Sequence, residues 1–417
     1  MTPILYLVHR LPFPPDKGDR IRAFHILQFL AKQGPVHLAT LADEPSSVAE
    51  ARAGLSRYCE KLAIIPLPRT RRLRMIGSLA IGRTASEGAF DCPALRAVLR
   101  SWSQETHYRV CLVSASSLVP YLQMPELRGV PAIVDLVDVD SQKWLDYAAI
   151  SRPPHSWLYR LEGRRLRRLE ADLPTWTRAV TLVSEAEANL FRKSAGPGRE
   201  GEAPAEPGSM AREDPRPPGR IQVIINGVDL DYFRPTGETD ETGCLFVGAL
   251  DYLPNVEGIS WFCREVWPGI LRRHPEAKIT VVGRQPTAAV RRLAHLPGVE
   301  VIGQVPDVRP YYAQATIVVA PLRLARGVQN KLLEALAMGK ALVASSATLA
   351  GLKAQPGVHL LRADSSAEWQ TAISQLLEDR SLREQLGAAG RQYVEDNHRW
   401  DQCLEPLRQL LLMRDSI

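Results

Sequence analysis

The stretch ILYLVHRLPFPPDKGDRIRAFHILQFLAKQG (4–34) contains two different hydrophobic periods. It begins with ILYLVH, a continuous apolar run typical of a buried strand. From Ile21 to Gly34 the apolar residues recur at helical spacing, and a glycine is a common helix stop. The stretch therefore predicts a strand, a loop and a helix, which is the repeating unit of a parallel α/β sheet.

The same alternation continues through both halves of the chain. In the first half the predicted strands are VHLATL (36–41), LAIIPL (62–67), VCLVS (110–114), AIVDLV (132–137) and AVTLVS (179–184). In the second half they are GCLFVGAL (243–250), KITVVG (278–283), VEVIG (299–303), TIVVAPL (316–322) and ALVAS (341–345), with helices at 256–273, 287–295, 307–313 and 328–338. We therefore predict an α/β fold of two facing Rossmann-like domains, with a ligand cleft between them at the carboxyl ends of the strands.

Composition shifts place the predicted domain boundaries. The first domain covers residues 1–222 and contains 195–219, a segment rich in Pro, Gly and charge that is typical of a disordered insertion. The second domain covers residues 223–396. The amphipathic end of the chain, 397–417, is predicted to be a helix that can cross back to the first domain.

The bulk composition excludes several classes of protein. A chain of 417 residues with 45% hydrophobic and 24% charged residues is typical of a globular protein. Its six cysteines are scattered without a CxxC pair, which argues against a zinc site or a disulfide framework and fits a reducing cytoplasm. The N-terminus lacks the basic start of a signal peptide, and no apolar run approaches the roughly 18 residues of a membrane-spanning helix.

The net charge of +6 is concentrated in the first half of the chain, in two arginine clusters. These clusters lie at 69–74 and 160–168, beside apolar residues. They fit either attraction to an anionic membrane, which would make the protein peripheral on the inner face of the cell membrane, or a solvated helix face. We do not expect nucleic acid as a partner, because neither cluster has interleaved aromatic residues.

The segment RGVQNKLLEALAMG (326–339) carries the chemistry of the second domain. It follows a buried strand, so Arg326, Gly327 and the first amide groups of the helix are expected at the strand-end crevice, where a helix N-terminus binds anions. Arg326 and Lys331 add positive charge for a diphosphate, and Glu334 can accept ribose hydroxyl hydrogen bonds. The alternative is an ordinary surface pair between Lys331 and Glu334.

This segment resembles the donor-binding signature of the retaining glycosyltransferases of family 4, which have two Rossmann domains in the GT-B arrangement. LLEALAMGKALVAS matches the second half of the signature, and Glu334 falls on its second glutamate. The first glutamate, which contacts the donor sugar in family members, is replaced by Arg326. The overall pattern is similar to the sugar transferases associated with exosortase-type exopolysaccharide systems.

Two further stretches extend the resemblance. VIINGVDLDYFRP (223–235) resembles the element joining the two domains, where Asn226-Gly227 forms a turn and Asp229 can cap the next one. The loop after GCLFVGAL, at Gly248, resembles one that supplies two phosphate-binding cations, but those positions hold Ala249 and Glu257. The candidate substitutes are Lys331, Arg284 and Arg323, and Asn330 completes the predicted donor site.

The first domain is expected to hold the acceptor. Lys17 and Gly18 lie in a strand-to-helix loop similar to the family's glycine loop, although Gly18 fits a plain turn equally well. The position of a family His-Asp pair is filled by DLVDVDSQKW, which offers Asp138 and Asp140 without a histidine. These two aspartates also resemble a metal-binding Asp-x-Asp motif, but a pair of helix caps before Ser141 explains them better.

The sequence therefore predicts a cytoplasmic enzyme that moves a hexose from a nucleoside diphosphate sugar to a saccharide or polyprenyl-linked acceptor. Asp138, Arg326 and Lys331 are the predicted catalytic residues, with the leaving diphosphate stabilised by cations and without a metal or other cofactor. The resemblance implies retention at the anomeric carbon and a role in exopolysaccharide biosynthesis. The alternatives are a sugar-nucleotide epimerase of the same fold or a non-catalytic sugar-nucleotide-binding protein.

Overall fold

A computed structural model describes residues 2–42, 48–195, 220–236 and 243–413. The chain divides into two compact units, one of Met1–Ile224 with Leu404–Ile417 and the other of Ile225–Cys403. The segment predicted to be a disordered insertion lies outside the described residues, apart from its first residue.

The first unit contains a sheet of seven parallel strands. They are β1 (Ile4–Val8), β2 (Val36–Ala42), β3 (Lys61–Pro66), β4 (Val110–Ser114), β5 (Ala132–Val137), β6 (Ala179–Leu182) and β7 (Arg220–Val223). Their spatial order is β3-β2-β1-β4-β5-β6-β7. The six strands predicted in this half are confirmed, and β7 is an addition that pairs with β6.

Helices connect successive strands of this sheet. They are α1 (Gly18–Ala31), α2 (Val48–Leu55), α3 (Arg71–Ala80), α4 (Ala85–Phe90), α5 (Pro93–Glu105), α6 (Val119–Leu122), α7 (Asp140–Ile150), α8 (His155–Trp176) and α9 (Glu185–Ala195). Short 3₁₀ turns lie at Ser56–Tyr58, Ser116–Leu118 and Pro125–Leu127. Because helices cover the sheet, strands such as β1, β2 and β4 are buried along their whole length.

The second unit contains a sheet of six parallel strands. They are β8 (Cys244–Val247), β9 (Ile279–Val282), β10 (Val299–Gly303), β11 (Ile317–Ala320), β12 (Ala341–Ala344) and β13 (Leu361–Arg362). Their order, β10-β9-β8-β11-β12-β13, is that of a doubly wound Rossmann-like sheet. The five strands predicted here are confirmed, and the two-residue β13 is an addition.

The helices of the second unit pack around this sheet. They are α10 (Leu253–Trp261), α11 (Trp267–Arg273), α12 (Ala288–Arg291), α13 (Arg309–Gln314), α14 (Asn330–Ala337), α15 (Ser346–Leu349), α16 (Ser366–Glu378), α17 (Arg380–Asn397) and α18 (Trp400–Cys403). A 3₁₀ turn, Arg292–His295, follows α12. A π-helical stretch, Phe262–Val266, divides the helix predicted at 256–273.

The end of the chain belongs to the first unit. After α17 and α18, the helix α19 (Glu405–Leu412) begins just past the unit boundary, and its residues Leu407, Leu410 and Leu411 are buried. The segment 397–417 is therefore divided between two short helices where a single helix was expected. Within the described residues, no helix is both long and apolar enough to span a membrane.

Candidate functional site

Each sheet reverses its strand order at one point, between β1 and β4 in the first unit and between β8 and β11 in the second. Loops that leave the carboxyl ends of these neighbouring strands go to opposite faces of the sheet, and ligands bind in the crevice that opens there. In the second unit, Gly248 follows β8 and the segment from Pro321 to Gln329 follows β11. Gly248, Arg323, Arg326 and Gly327 therefore lie at the switch point of their sheet.

The helix α14 begins at this crevice without a side-chain cap. Its N-cap residue, Gln329, makes no cap hydrogen bond and instead donates from Nε2 to the Arg326 carbonyl at 2.7 Å. Gly327 adopts a φ of 61° and its carbonyl lies against Gly351, so the loop turns sharply just before the helix. The N-terminus of α14 therefore has no side-chain cap, and an uncapped helix start is a type of site that binds anions.

Lys331 reaches from α14 to the end of β8. Its Nζ donates to Asn255 Oδ1 at 2.6 Å and lies 4.8 Å from the centre of the Phe246 ring. A Cβ added to Gly248 would lie 3.0 Å from the same nitrogen, so this glycine leaves the space that the ammonium occupies. Lys331 is thus tethered beside the strand end, and the interpretation of a surface pair with Glu334 is wrong.

Glu334 lies one turn after Lys331 on the same helix. Tyr312, which is fully buried, donates its hydroxyl to Glu334 Oε2 at 3.0 Å. One carboxylate oxygen of Glu334 therefore has a protein partner, which fixes the orientation of the group. The prediction that Glu334 accepts two ribose hydroxyl bonds stays a prediction.

Burial shifts the pKa values of Lys331 and Glu334 so that the neutral form of each side chain is favoured. Burial lowers the pKa of Lys331 to about 7, although the nearby Glu334 carboxylate opposes this change. Burial likewise raises the pKa of Glu334, against the hydrogen bond from Tyr312 and the charge of Lys331. An anion bound at the helix start would favour the charged form of Lys331 and raise its pKa.

Asn226 and Asn330 link the start of the second unit to α14. Asn226 Nδ2 donates to Asn330 Oδ1 at 2.9 Å, and the Asn226 carbonyl lies 2.7 Å from His398 Nδ1. The side-chain nitrogen of Asn330, Nδ2, is buried and has no hydrogen-bond partner in the described part of the chain. The following Asp229 accepts from the Tyr232 amide at 2.9 Å, which confirms the predicted turn cap.

The remaining predicted donor residues lie around this group in different surroundings. Arg284 follows β9, and its carbonyl accepts from the Leu250 amide at 2.9 Å. Arg323 is exposed, with its guanidinium 5.8 Å from the Trp261 ring centre, whereas Arg326 is half-buried. Of the three candidate substitutes for the missing loop cations, Lys331 has its charged group placed at the end of β8 by a hydrogen bond and a ring contact.

In the first unit the position of Gly18 differs from the expectation. Gly18 is the first residue of α1, and Lys17 is its N-cap in an extended conformation. The helix was predicted from Ile21, so the interpretation of Gly18 as a loop residue is wrong. The loop residues that remain after β1 are His9 to Asp16.

Asp138 and Asp140 lie after β5, but they do not cap α7. Its N-cap is Val139, whose amide donates to Glu187 Oε2 at 2.7 Å, and the Ser141 amide donates to Glu170 Oε1 at 3.0 Å. The expected pair of aspartate caps is therefore wrong, because two distant glutamates occupy those amides. Asp140 instead accepts from Ser116 Oγ at 2.6 Å, which joins the segments that follow β4 and β5.

A histidine that the sequence analysis did not select lies at the same edge. His9 follows β1, its Nε2 lies 3.7 Å from Asp19 Oδ2, and its side chain is 18% exposed. Burial lowers the pKa of His9, while Asp19 and Asp140 oppose that change. A histidine-aspartate pair therefore does exist here, formed between the end of β1 and the start of α1. Its sequence signal was the histidine that ends the predicted strand ILYLVH.

Two carboxylates of this edge differ in their surroundings. Burial opposes the ionisation of Asp19, but the charges of His9 and Arg10 outweigh it and hold the pKa of Asp19 below its usual value. Burial raises the pKa of Glu170 to about 8, and its Oε2 has no hydrogen-bond partner among the described residues. Among all the residues that the structure describes, no three His, Cys, Asp or Glu side chains are grouped so that they could hold a metal ion.

Comparisons with known proteins agree with this architecture. Residues 241–379 match the model of the family "Glycosyl transferases group 1". No curated protein matches the sequence. Among solved structures, sucrose-phosphate synthase from Thermosynechococcus elongatus is similar at a TM-score of 0.70 and 16% identity, covering 98% of each chain. HepE of Anabaena in complex with UDP-glucose is similar at a TM-score of 0.67 and 13% identity, covering 99% of each chain.

Both the sequence match and the structural matches concern glycosyltransferases. The two parallel-sheet α/β units reproduce the GT-B fold over nearly the whole chain, and the matched domain contains the switch point with Lys331 and Glu334. The chain is therefore a transferase that carries a group 1 glycosyl transferase domain at residues 241–379 within a GT-B fold.

Proposed function

We propose that this protein transfers a hexose from a nucleoside diphosphate sugar to a saccharide or polyprenyl-linked acceptor, with retention at the anomeric carbon. The observation that carries the proposal is the tethered Lys331 ammonium beside the uncapped start of α14. A diphosphate is the anion that such a site accommodates best, because it can contact both the amide groups and the ammonium. HepE, whose solved complexes contain UDP and UDP-glucose, supports this donor class.

In the proposed reaction the bond from the anomeric carbon to the diphosphate oxygen breaks as the bond to the acceptor oxygen forms. The acceptor proton passes to the leaving diphosphate. Lys331, Arg326 and the N-terminus of α14 stabilise the negative charge that develops on the diphosphate, and a site prepared for this charge lowers the barrier. We propose that these groups do so without a metal ion.

The acceptor side of the proposal rests on the first unit. Asp138 and the His9–Asp19 pair lie at the carboxyl edge of its sheet, and we propose that they orient the acceptor hydroxyl. At the donor end, Glu334 is assigned to the ribose, while the contact to the hexose changes because Arg326 stands where a glutamate is expected. A cytoplasmic enzyme of this kind, peripheral on the membrane, would serve exopolysaccharide biosynthesis.

A panel of nucleoside diphosphate sugars with membrane extract tests the proposal. Each radiolabelled donor is incubated with the full chain, and label is followed in lipid, glycan and free donor. We expect label in lipid or glycan for one donor, in the presence of EDTA as well as without it. Isomerised free donor without transfer would instead indicate an epimerase, and binding without any turnover would indicate a sugar-nucleotide-binding protein.

The same assay tests the acceptor side. The variant His9→Ala should transfer at least about tenfold more slowly, because a group positioned at a reacting hydroxyl typically contributes about 10²- to 10⁴-fold. Its affinity for UDP should be unchanged. A normal transfer rate in His9→Ala would remove this residue from the proposed site.

A further inference from the structure

One part of the first unit exposes large apolar side chains together. Leu73 and Ile76 on α3 and Ile81 just after it are 70%, 65% and 71% exposed. On α8, Trp157, Leu158 and Leu161 are 65%, 50% and 39% exposed. Large apolar residues scattered singly need no explanation, but a concentrated group marks an interaction surface.

These two groups of side chains lie on adjoining elements. The guanidinium of Arg165, on α8, donates to the carbonyls of Leu79 and Arg83 at 2.8 and 2.6 Å. The carboxylate of Glu162 accepts from the amides at the start of α4, at 2.6 and 2.8 Å. The turn between α3 and α4 is therefore fastened onto α8 next to Leu161.

The exposed charges among these apolar residues are all positive. The arginines are Arg69, Arg72, Arg83, Arg160, Arg164 and Arg168. Residues 67–86 contain no Asp or Glu, and within 151–168 the single acidic residue is Glu162, which is 3% exposed. We call the six apolar residues and these six arginines the basic–apolar face.

We propose that the basic–apolar face docks the protein on an anionic lipid bilayer. Apolar and tryptophan side chains enter the headgroup boundary while arginines pair with lipid phosphates. A second copy of the chain fits less well, because a two-fold contact through this face would bring the arginines of both copies together. The helix α3 is itself suited to lie on a surface, since Ser78 is its one buried residue.

The position of the basic–apolar face suits a polyprenyl-linked acceptor. This step rests on the proposed function. The lining of an open cavity beside α3 includes Ile81 and Arg83 together with Ser117 and Tyr121. Ser117 follows the carboxyl end of β4. A bilayer on this face would therefore lie next to a cavity that leads to the acceptor edge of the sheet.

Co-sedimentation of the full chain with vesicles tests the docking. The vesicles are phosphatidylcholine alone or phosphatidylcholine with phosphatidylglycerol. We expect binding to the anionic vesicles that weakens with salt. Equal binding to both vesicles, or binding to neither, would overturn the proposal, as would a concentration-dependent dimer that forms through this face without vesicle binding.

Two triple variants locate the contact. One reverses charge with Arg72→Glu, Arg160→Glu and Arg164→Glu, and should lower partitioning roughly a hundredfold or more, since each basic residue near the surface contributes strongly. The other removes apolar contact with Leu73→Ser, Ile76→Ser and Trp157→Ser, and should lower it at least tenfold. Binding by either variant at the level of the unchanged protein would overturn the assignment of the face.

A matched control has the same change of charge in the second unit, with Arg272→Glu, Arg291→Glu and Arg292→Glu, all exposed. This control should keep at least about a third of the partitioning to anionic vesicles that the unchanged protein shows. UDP affinity and thermal unfolding, measured on every variant, show that the fold is intact. Transfer to a soluble saccharide without vesicle binding would refute the docking alone, and vesicle binding without any transfer would refute the proposed function alone.

Discussion

At the scale of single residues, the proposed donor site contains a lysine, Lys331, whose charged form is disfavoured by burial. Burial keeps the pKa of Lys331 near 7, far below the roughly 10.4 of a free lysine. The ammonium is nevertheless placed where a diphosphate is expected, held by Asn255. A bound anion would favour the charged form, so we expect binding to be coupled to the uptake of a proton.

Replacing Lys331 with methionine should lower UDP affinity at least about tenfold, because a charge-assisted hydrogen bond is lost. In the unchanged protein, affinity should fall as the pH rises through about 7, where Lys331 loses its proton. The variant should show only the titration of the nucleotide itself. Isothermal titration calorimetry between pH 6 and pH 8 measures both.

The control for this change is Lys278→Met, an exposed lysine at the amino end of β9. Its UDP affinity and pH dependence should equal those of the unchanged protein.

The stability of Lys331→Met gives an independent test of the lowered pKa of Lys331. Because the folded pKa lies below the unfolded one, the unfolded chain binds more protons between about pH 7 and pH 10, and the free energy of unfolding rises with pH there. The variant should lack this rise and be more stable at pH 7. An unchanged affinity of Lys331→Met for UDP would contradict the placement of Lys331 in the donor site.

At the scale of elements, the position of α14 depends on the helix that packs against its far end. The α17 backbone approaches so closely that a Cβ at Gly390 would lie 2.6 Å from Leu336 Cδ2. Arg391 donates to the Ala337 carbonyl at 2.6 Å, which satisfies the last turn of α14. The start of α14 is therefore aimed at the crevice by contacts at its other end.

The variant Gly390→Val should lower the free energy of unfolding by about 1–3 kcal/mol, as overpacking commonly does. It should also weaken UDP binding, because Leu336 and with it α14 must move. Urea unfolding and calorimetry give the two values. The matched control is Gly77→Val, where nothing lies within 4 Å of the added carbon. An intact UDP affinity in a destabilised Gly390→Val would show that α14 does not need this support.

At the scale of the whole molecule, the last helix belongs to the first unit although the chain reaches it through the second. Leu407, Leu410 and Leu411 are buried in α19, and Arg178 donates to the Leu410 carbonyl at 3.4 Å. Each buried leucine contributes about 1.5–3 kcal/mol. The first unit therefore depends on the final residues of the chain.

A chain ending at Cys403 should lose about 5–9 kcal/mol of stability in the first unit, from the three leucines. Hydrogen exchange should show faster exchange in β1 and β6, while the second unit keeps its protection and its UDP affinity. A chain ending at Leu412 retains α19 and is the control. Equal loss of protection in both units would show that they unfold together.

The sequence by itself determined the alternation of strands and helices. Buried strands such as β4 and β12 are continuous apolar runs, and α14 has an apolar stripe that ends at Gly339, whose φ is 67°. These patterns are local, so they can be recognised in the sequence without knowing which elements pack together in the fold. The same holds for Lys331 and Glu334, which share one turn of a helix that follows a strand.

The tertiary structure alone decided which groups meet. Lys331 bonds to a residue 76 positions away, and Glu170 caps a helix that begins 30 residues before it. The short β7 (RIQV) has no continuous apolar run, and pairing with β6 defines it as a strand. The His9–Asp19 pair likewise depends on how α1 packs beside β1. Hydrophobic period is a property of neighbouring residues, whereas a hydrogen-bond partner depends on which elements the fold brings side by side.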